Sequence, residues 1–391
     1  MTVIRFFSDP HVGKELKANT TPASRAMLAK QIHLHGLAAS GRPYQDPADP
    51  LGGDDHPVHF TVCAGDLFDQ DSNPEHVILQ GAEVARRCDR VLGGNHDVKN
   101  IAERESSLSA LAKLTGEDRF VMPPEPGRTS FSFDLVQESA SHLGDVALYM
   151  VPHHARQQEF ELALEEVYQH ALQFDAAKTR VRHLQFDAAK TPVRRLLVVH
   201  CNYHLTFEAG ENDLNLTDAK ARQLLRVFDY IVMGHDHRPR TECEGRLIVL
   251  GNTHPTSFSD QGAKYTWFYN SETNSWAKAI NAADSLMEVE IGALLAAWRG
   301  NQLAQYAEAE WIDIHGTLQP EDTVDMAKAI RDLRKRNEYL YAVRASRVLI
   351  AAGGTDSQPE AAQKTLIEII EEQLAGSDLL ELFIEAKNAK E

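Results

Sequence analysis

Five short motifs rich in aspartate, asparagine and histidine constrain this chain more than any other feature of its sequence. They follow or interrupt runs of β-branched and aromatic residues, such as VIRFF, VHFTV, LLVV and DYIVM, that predict strands. In chain order, the motifs are Asp9-x-His11, Gly65-Asp66, Gly94-Asn95-His96-Asp97, His200 and Gly234-His235-x-His237. We therefore expect their polar side chains where strands end.

These motifs share the chemistry of ligands for divalent metal ions. Carboxylate oxygens, an amide oxygen and imidazoles suit manganese, iron or zinc, and no thiolate motif competes with them. Two ions about 3.5–4 Å apart, bridged by a shared carboxylate, clamp a phosphate and generate hydroxide at neutral pH. GNHD alone is typical of a turn, and a lone histidine is usually structural. Their joint occurrence predicts a two-metal phosphoester site.

The ordered set DPH, GDLFD, GNHD, H and GHDH resembles the calcineurin-like metallophosphoesterase superfamily. The flanking sequences SDPHVG, GDLFDQDSNP, FDYIVMGHDH and GNTHPTSFSDQGAKYTWFY are similar to those of SbcD-type DNA repair nucleases. These nucleases are the prokaryotic and phage relatives of the meiotic-recombination-eleven family. The similarity continues in residues 311–348, which resemble the small α/β capping domain of that family.

The resemblance implies two metal sites that share one carboxylate, that of Asp66. Manganese is the metal it favours, with iron, zinc and magnesium as alternatives. The implied ligands are Asp9, His11, Asp66 and His237 for the first site, and Asp66, Asn95, His200 and His235 for the second.

The resemblance also implies catalytic residues that are not ligands. His96 would approach the scissile phosphate and help the leaving oxygen to depart, with Asp97 placed to orient its imidazole. A carboxylate beside a histidine raises the pKa of the ring, which suits a general acid. Asp69 stands where some relatives have histidine, and it either tunes the site or only forms hydrogen bonds within it.

The implied architecture is an α/β fold of the metallophosphoesterase type, a two-sheet β-sandwich flanked by helices. A smaller α/β capping domain and C-terminal helices would follow it. We expect a nuclease domain at residues 1–284, a DNA-positioning cap at 285–352 and a helical segment at 361–391. Composition breaks near 281–285 and 351–360 mark the boundaries.

Hydrophobic periodicity gives a coarse outline of the elements. The stretch 38–57, rich in Pro, Gly and Asp, is expected to be a surface insertion. Strands are predicted near 3–7, 58–63, 146–151, 196–199, 229–233, 247–250 and 265–269, and helices near 23–37, 76–88, 104–114, 156–173, 217–226 and 321–336.

Cysteine usage and the lack of long apolar runs predict a cytoplasmic protein, and the resemblance implies a bacterium or a phage-infected cell as its source. No apolar run approaches the roughly 20 residues that span a bilayer, so no membrane partner is expected. The four cysteines have no paired spacing and are expected to be buried free thiols of a reducing compartment.

The net charge of −17 is unfavourable for a nuclease, because DNA binding depends on neutralising phosphates. A basic cluster near the end of the chain offers a phosphate-contacting ridge. It is equally consistent with a solvated helix whose cations favour its own C-terminus. The residues of this cluster are Arg331, Arg334, Lys335, Arg336, Arg344 and Arg347.

Three further features leave alternatives open. Residues 172–183 are repeated almost verbatim as 184–195, and a tolerated surface duplication is favoured over a phosphate path. The apolar faces within 361–391 either pack on their own domain or bind a partner. His153 and His154 follow a strand expected to face the site, whereas His204 and His254 are taken as structural.

The combined expectation is a manganese-dependent DNA exonuclease and endonuclease subunit with a two-metal mechanism, acting in DNA repair or recombination. The resemblance implies a homodimer that works on DNA with an SbcC-type ATPase. The alternative is a metallophosphodiesterase or phosphatase acting on nucleotides or small phosphoesters. A non-catalytic adaptor for such an ATPase is disfavoured, because no ligand position is substituted.

Overall fold

The secondary structure consists of helices and strands that largely alternate along the chain. The computed structural model describes residues 2–15, 22–43, 57–97, 106–115, 119–122, 134–136, 146–182, 193–205, 214–282, 286–337 and 340–350. The α-helices in these ranges are α1 (Pro22–Gly41), α2 (Glu75–Ala85), α3 (Ser107–Thr115), α4 (Gln157–Arg182), α5 (Asp218–Leu224), α6 (Ile291–Arg299) and α7 (Thr323–Arg336).

The strands in the same ranges form two large sheets, one small sheet and one short pair. The first nine are β1 (Val3–Phe7), β2 (Phe60–Cys63), β3 (Arg90–Leu92), β4 (Phe120–Val121), β5 (Asp134–Val136), β6 (Val146–Val151), β7 (Arg194–His200), β8 (Asn202–Tyr203) and β9 (Asn215–Leu216). The others are β10 (Tyr230–Gly234), β11 (Arg240–Glu242), β12 (Leu247–Val249), β13 (Lys264–Asn270), β14 (Ser275–Ala282), β15 (Leu286–Glu290), β16 (Trp311–Leu318) and β17 (Ala342–Ile350).

Each large sheet contains four neighbouring parallel strands, with antiparallel strands at one edge of the first sheet and at both edges of the second. The first has the order β14-β13-β1-β2-β3-β4, in which β1 to β4 are parallel. The second has the order β11-β12-β10-β7-β6-β5, in which β12, β10, β7 and β6 are parallel. Parallel strands present their carboxyl ends at one edge of a sheet, and that edge is where ligand sites form in such folds.

The main core lies between the two large sheets. Ile4 and Phe6 of β1 pack there against apolar residues of β6, β7, β10 and β12. Phe7 points the other way, because side chains alternate along a strand, and packs with residues of α2 and α3. The opposite face of the second sheet is covered by α4 and α5. The α/β fold with two large sheets flanked by helices is confirmed.

A third, all-parallel sheet, β15-β16-β17, has its own core with α6 and α7. It also contacts the rest of the chain through α1, since Leu28 and Ile32 pack with Trp311 and Tyr341. The boundary near residue 284 stays a prediction.

Several predicted elements differ in extent from the observed ones. Helix α1 continues to Gly41, so the first residues of the predicted insertion are helical. Helix α4 runs to Arg182, through most of the first copy of the duplication, and β7 begins at the end of the second copy. The linker at 351–360 and the segment 361–391 lie outside the described residues. In the described ranges, no helix combines the length and apolar character needed to cross a membrane.

We expect Phe6→Ala to lower the free energy of unfolding by about 3–5 kcal/mol, since it leaves a cavity between the sheets. Phe6 is fully buried, with its ring centroid 5.5 Å from that of Trp276. Urea denaturation measures the change. Leu79→Ala on α2, where the side chain is 57% exposed, is the matched control and should change stability by less than about 0.5 kcal/mol. Equal effects of both substitutions would contradict this account of the core.

Candidate metal centre

The five motifs meet at one edge of the sandwich. Each follows or ends a parallel strand: the strands are β1, β2 and β3 of the first sheet and β7 and β10 of the second. The two sheets therefore deliver their polar residues from opposite sides of one cleft. All nine residues predicted for the site lie in the described ranges.

The backbone of this edge is strained. Asp9, His11, Asp66 and His235 have φ angles of 52°, 44°, 50° and 83°, in the left-handed region that residues other than glycine rarely adopt. Each such residue costs about 1–3 kcal/mol and persists only where its surroundings hold it. Hydrogen bonds between the first two loops do so, since the amides of Asp9 and His11 donate to the carbonyls of Gly65 and Asp66 at 3.0 and 3.1 Å.

Glycines in the motifs allow the loops to approach each other. A Cβ atom on Gly65 would lie 2.0 Å from Nδ1 of His200, and one on Gly94 would lie 2.1 Å from Oδ1 of Asp66. Both distances are far inside van der Waals contact. Glycine is therefore required at both positions if the side chains are to meet.

The first group of side chains is formed by Asp9, His11 and His237, with Asp66 beside them. The Nε2 atoms of His11 and His237 are 3.0 Å apart. Nε2 of His11 lies 4.0 Å from both Oδ1 of Asp9 and Oδ2 of Asp66. Ligand atoms on adjacent corners of an octahedron, each about 2.1 Å from an ion, are about 3.0 Å apart, so the two imidazoles are spaced as ligands of one ion.

The second group is formed by Asp66, Asn95, His200 and His235. Oδ1 of Asn95 lies 3.0 Å from Nε2 of His200 and 2.9 Å from Nδ1 of His235. Oδ2 of Asp66 lies 3.3 Å from Nε2 of His200. The other nitrogen of His200, Nδ1, donates to the carbonyl of Ala64 at 2.9 Å, which leaves Nε2 unprotonated in the neutral ring, with its lone pair toward the group.

Asp66 belongs to both groups and is buried. Burial opposes its ionisation, but the nearby His200 and His11 hold the pKa of the carboxyl well below its usual range. Cys63, beside the site, is the opposite case, because burial raises the pKa of its thiol well above the ordinary value and keeps it neutral. Oxygen and imidazole donors without thiolate fit two divalent ions of the manganese, iron, zinc or magnesium type.

His96 lies at the rim of this centre, and its ring is held by a backbone group. Its Nδ1 lies 2.6 Å from the carbonyl oxygen of Asp69. Because a carbonyl only accepts, Nδ1 carries the proton, and Nε2 is the nitrogen that exchanges one. The amide of His96 donates to Oδ1 of Asp66 at 2.9 Å, which ties the residue to the shared carboxylate.

Asp97 does not orient the imidazole of His96, so the role that the resemblance implies for this carboxylate is wrong. Its carboxylate accepts hydrogen bonds from the amides of Leu67, Phe68 and Gly94 at 3.1, 3.0 and 3.0 Å. Burial, together with the charge of Asp66, raises the pKa of Asp97 to about 7. Asp97 therefore joins the GNHD turn to the GDLFD loop.

Asp69 forms hydrogen bonds within the site rather than standing apart from it. Its Oδ1 accepts from Nζ of Lys14 at 2.7 Å and lies 3.4 Å from Nδ1 of His11. Since its carbonyl also holds His96, this residue connects a predicted ligand to the predicted acid.

Other histidines surround the centre at different distances. His153 is buried, and its ring centroid is 6.4 Å from that of His200. Nδ1 of His154 donates to the carbonyl of Pro152 at 2.8 Å, as expected of a structural residue. His254 stacks on His35 with ring centroids 4.4 Å apart. The contact with His200 places His153 beside the second group.

Two charged residues that the sequence reasoning missed lie behind His237. Asp260 and Lys264 are both buried, and their side chains contact the ring and the carbonyl of His237. The motif GNTHPTSFSDQGAKYTWFY contains both residues, so the signal was present without an assigned role.

Three of the six cations of the predicted basic ridge lie close to acids within the described residues. Arg344 and Arg347 lie 2.5 and 2.8 Å from Oδ2 of the buried Asp313, and Arg347 also lies 2.7 Å from Glu288. On α7, Arg331 lies 3.5 Å from Asp332. Because Arg334, Lys335 and Arg336 occupy the last turn of α7, the cluster fits a helix whose cations favour its own C-terminus as well as it fits a phosphate-contacting ridge.

The sequence profile described as calcineurin-like phosphoesterase matches residues 3–239. The match covers more than half of the chain and contains all five motifs. The chain belongs to the calcineurin-like phosphoesterase family. It is accordingly a metal-dependent phosphoesterase hydrolase, and the clustered aspartates and histidines supply donors for the metal.

Two solved structures show remote similarity. One, described as a novel archaeal phosphodiesterase, is 11% identical with a TM-score of 0.30, over 71% of this chain and 99% of that chain. The other, a putative 5′-nucleotidase from Staphylococcus aureus in complex with α-ketoglutarate, is 13% identical with a TM-score of 0.37, over 71% of this chain and 53% of that chain. Structural similarity this low indicates nothing about the activity of this chain. A search of curated proteins finds no match.

Replacing His96 with Ala should leave two metal ions bound and reduce turnover by about 10²–10⁴, the usual effect of removing an acid–base group. Replacing Asp66 with Asn should instead reduce the metal content, because both groups lose a charged ligand. Metal analysis after gel filtration in manganese, with steady-state kinetics on the same samples, separates the two effects. Equal metal loss in both variants would refute distinct roles.

Replacing Asp97 with Asn should destabilise the fold by about 2–4 kcal/mol, because buried amides lose a carboxylate acceptor. The alkaline limb of the pH–turnover profile should not move. If Asp97 instead raised the pKa of His96, its neutralisation would lower that pKa and shift the alkaline limb to lower pH. Chemical denaturation and a pH–rate series on the residual activity measure both quantities.

Proposed function

We propose that this chain is the nuclease subunit of an SbcD-type DNA repair or recombination enzyme, a manganese-dependent exonuclease and endonuclease. The observation that carries the proposal is the shared, buried carboxylate of Asp66, flanked by two groups of ligand-type side chains with His96 at their rim. A phosphodiester needs charge on its nonbridging oxygens neutralised and a proton given to its leaving oxygen. This arrangement offers both.

The residues that would hold the metals are those of the two groups. Bound there, divalent ions supply positive charge for the phosphoryl oxygens and lower the pKa of the attacking water. The set of donors is Asp9, His11, Asp66 and His237 for one ion and Asp66, Asn95, His200 and His235 for the other.

The chain itself contributes orientation and a proton. The carbonyl of Asp69 fixes the His96 ring so that Nε2 is the atom that passes a proton to the departing 3′-oxygen. The bond from the amide of His96 to Asp66 keeps this acid at a constant distance from the shared carboxylate. A fixed acid contributes through proximity as well as through its proton.

The position of the third sheet supports a polymeric substrate. Phe258 lies in the loop that also carries Asp260, and its ring is 5.1 Å from that of Trp311 and 4.6 Å from the guanidinium of Arg344. The sheet that we propose as a cap, residues 285–352, thus packs beside the loop that supports His237. A domain at this edge would contact phosphates beyond the cleaved one, and a small phosphoester has no such phosphates.

Partners and location are part of the same proposal. The resemblance to SbcD-type nucleases supports a homodimer that binds DNA and works in the cytoplasm with an SbcC-type ATPase. The segment 361–391, outside the described residues, is the proposed contact for that ATPase. Manganese is the proposed metal, and iron, zinc and magnesium are the alternatives.

A second candidate function is a phosphodiesterase or phosphatase for nucleotides or small phosphoesters. The observation that favours it is charge: the chain carries −17, and Arg344 and Arg347 form ion pairs with Asp313 and Glu288. An acidic DNA enzyme whose cap arginines are paired in this way relies on the metal centre for phosphate binding.

Purified full-length protein with manganese should degrade linear duplex DNA and single-stranded DNA, and should also hydrolyse bis(p-nitrophenyl) phosphate. Chelation by EDTA should abolish all three activities, and added manganese should restore them. Hydrolysis of the chromogenic diester without degradation of either DNA would reject the nuclease in favour of the second candidate. The full chain is the right material, since removal of the third sheet would expose Leu28 and Ile32.

A further inference from the structure

A buried ion pair lies behind His237, in the stretch that leads from β12 to β13. Lys264 is 0% exposed and Asp260 is 7% exposed. Nζ of Lys264 donates to Oδ1 of Asp260 at 2.5 Å and to the carbonyl of His237 at 3.0 Å. Buried charges of this kind are costly to desolvate, so their retention calls for a role that apolar residues do not fill.

The second oxygen of Asp260 is fixed by three further hydrogen bonds. Oδ2 accepts from Nδ2 of Asn252 at 2.5 Å, from the amide of Thr256 at 3.0 Å and from the hydroxyl of Thr256 at 2.9 Å. The same oxygen lies 3.3 Å from Nδ1 of His237. The carboxylate therefore has little freedom to move, and the ring of His237 is held against a rigid acceptor.

His237 is less enclosed by its surroundings than the ligand-type histidines His11 and His200. Its side chain is 28% exposed, whereas those of His11 and His200 are 1% and 0% exposed. With Nδ1 directed to Asp260, Nε2 faces Nε2 of His11 at 3.0 Å. A carboxylate that accepts from the outer nitrogen of a ligating histidine fixes its tautomer and orientation and raises its basicity.

The second group has an independent support. His200 is positioned by the carbonyl of Ala64, which does not involve the Asp260 loop. His235 of the second group is two residues from His237, but its Nδ1 lies 2.9 Å from Oδ1 of Asn95, outside the Asp260 loop. Disturbing Asp260 therefore reaches the ring of His237 directly and His200 only through the shared Asp66.

We infer that Asp260 and Lys264 are positioning residues that set the affinity of the first metal site, through His237, without setting that of the second. The inference rests on the proposed assignment of His237 as a ligand. Asp260 holds the ring, and Lys264 holds both the carboxylate and the backbone of His237. Neither residue touches the substrate or the metal in this role.

The experiment is a manganese titration of the full-length protein by equilibrium dialysis and electron paramagnetic resonance. Wild type should bind two ions. Asp260→Asn should weaken one site by about 10–100-fold and leave the other unchanged, the usual effect of losing such a partner. Raising manganese by the same factor should restore turnover, which a merely structural defect would not allow.

The matched control is Asp236→Asn, which removes the same charge next to His237 in sequence. Oδ2 of Asp236 pairs with Arg240 at 2.5 Å, and Oδ1 accepts from the amide of Arg238 at 3.0 Å. Both metal affinities should stay at the wild-type value. His237→Ala is the reference that should weaken the same site as Asp260→Asn.

A second variant distinguishes an effect on the metal site from loss of the fold. Asp260→Asn combined with Lys264→Met leaves no buried charge unpaired, and it should weaken the same site. Two wild-type affinities in either variant, or equal loss at both sites, would overturn the inference. So would loss of the cooperative melt in both variants, since the pair would then belong to the folding core. If wild type bound no manganese, the proposed function would fail instead.

Discussion

The structure depends on one buried carboxylate that two groups of side chains share. Asp66 lies 3.3 Å from His200 on one side and 4.0 Å from His11 on the other, and its second oxygen accepts from the amide of His96. A charged carboxylate in such a place is stable only where cations or hydrogen-bond donors compensate its desolvation. The left-handed backbone at Asp66 and the absence of a side chain at Gly94 both follow from bringing these partners together.

The sequence predicts the scaffold well because the scaffold is built from local patterns. Apolar β-branched runs give β1, β6, β7 and β10 within one or two residues, since strands buried on both faces are almost continuously hydrophobic. Helix ends were less predictable: α1 extends four residues beyond the predicted end at 37, through Ala38, Ala39 and Ser40, which carry no stop signal, to Gly41, which does. That the motif residues meet at one edge follows from the parallel order of the strands that carry them.

The sequence does not predict side-chain contacts whose partners are set by the folded backbone. Asp97 follows His96, yet it accepts from the amides of another loop, because the turn directs the two side chains apart. Asp260 meets His237 only after the more than twenty residues between them, which include β11 and β12, have folded back. Asp313 pairs with Arg344 across neighbouring strands of the third sheet. The sequence of either strand alone does not predict which residues face each other across the pair.

The acidity of the chain becomes compatible with a phosphoester substrate once local charge is considered. The net charge is −17, and the cap arginines Arg344 and Arg347 are paired with Asp313. The carboxylates among the proposed ligands, Asp9 and Asp66, carry −2 together when ionised, whereas the two divalent ions that we propose would carry +4. Binding of both ions would therefore reverse the sign of the charge among these ligands. Phosphate is then attracted mainly by the loaded centre, and such short-range attraction is screened less by salt than binding by exposed lysines and arginines.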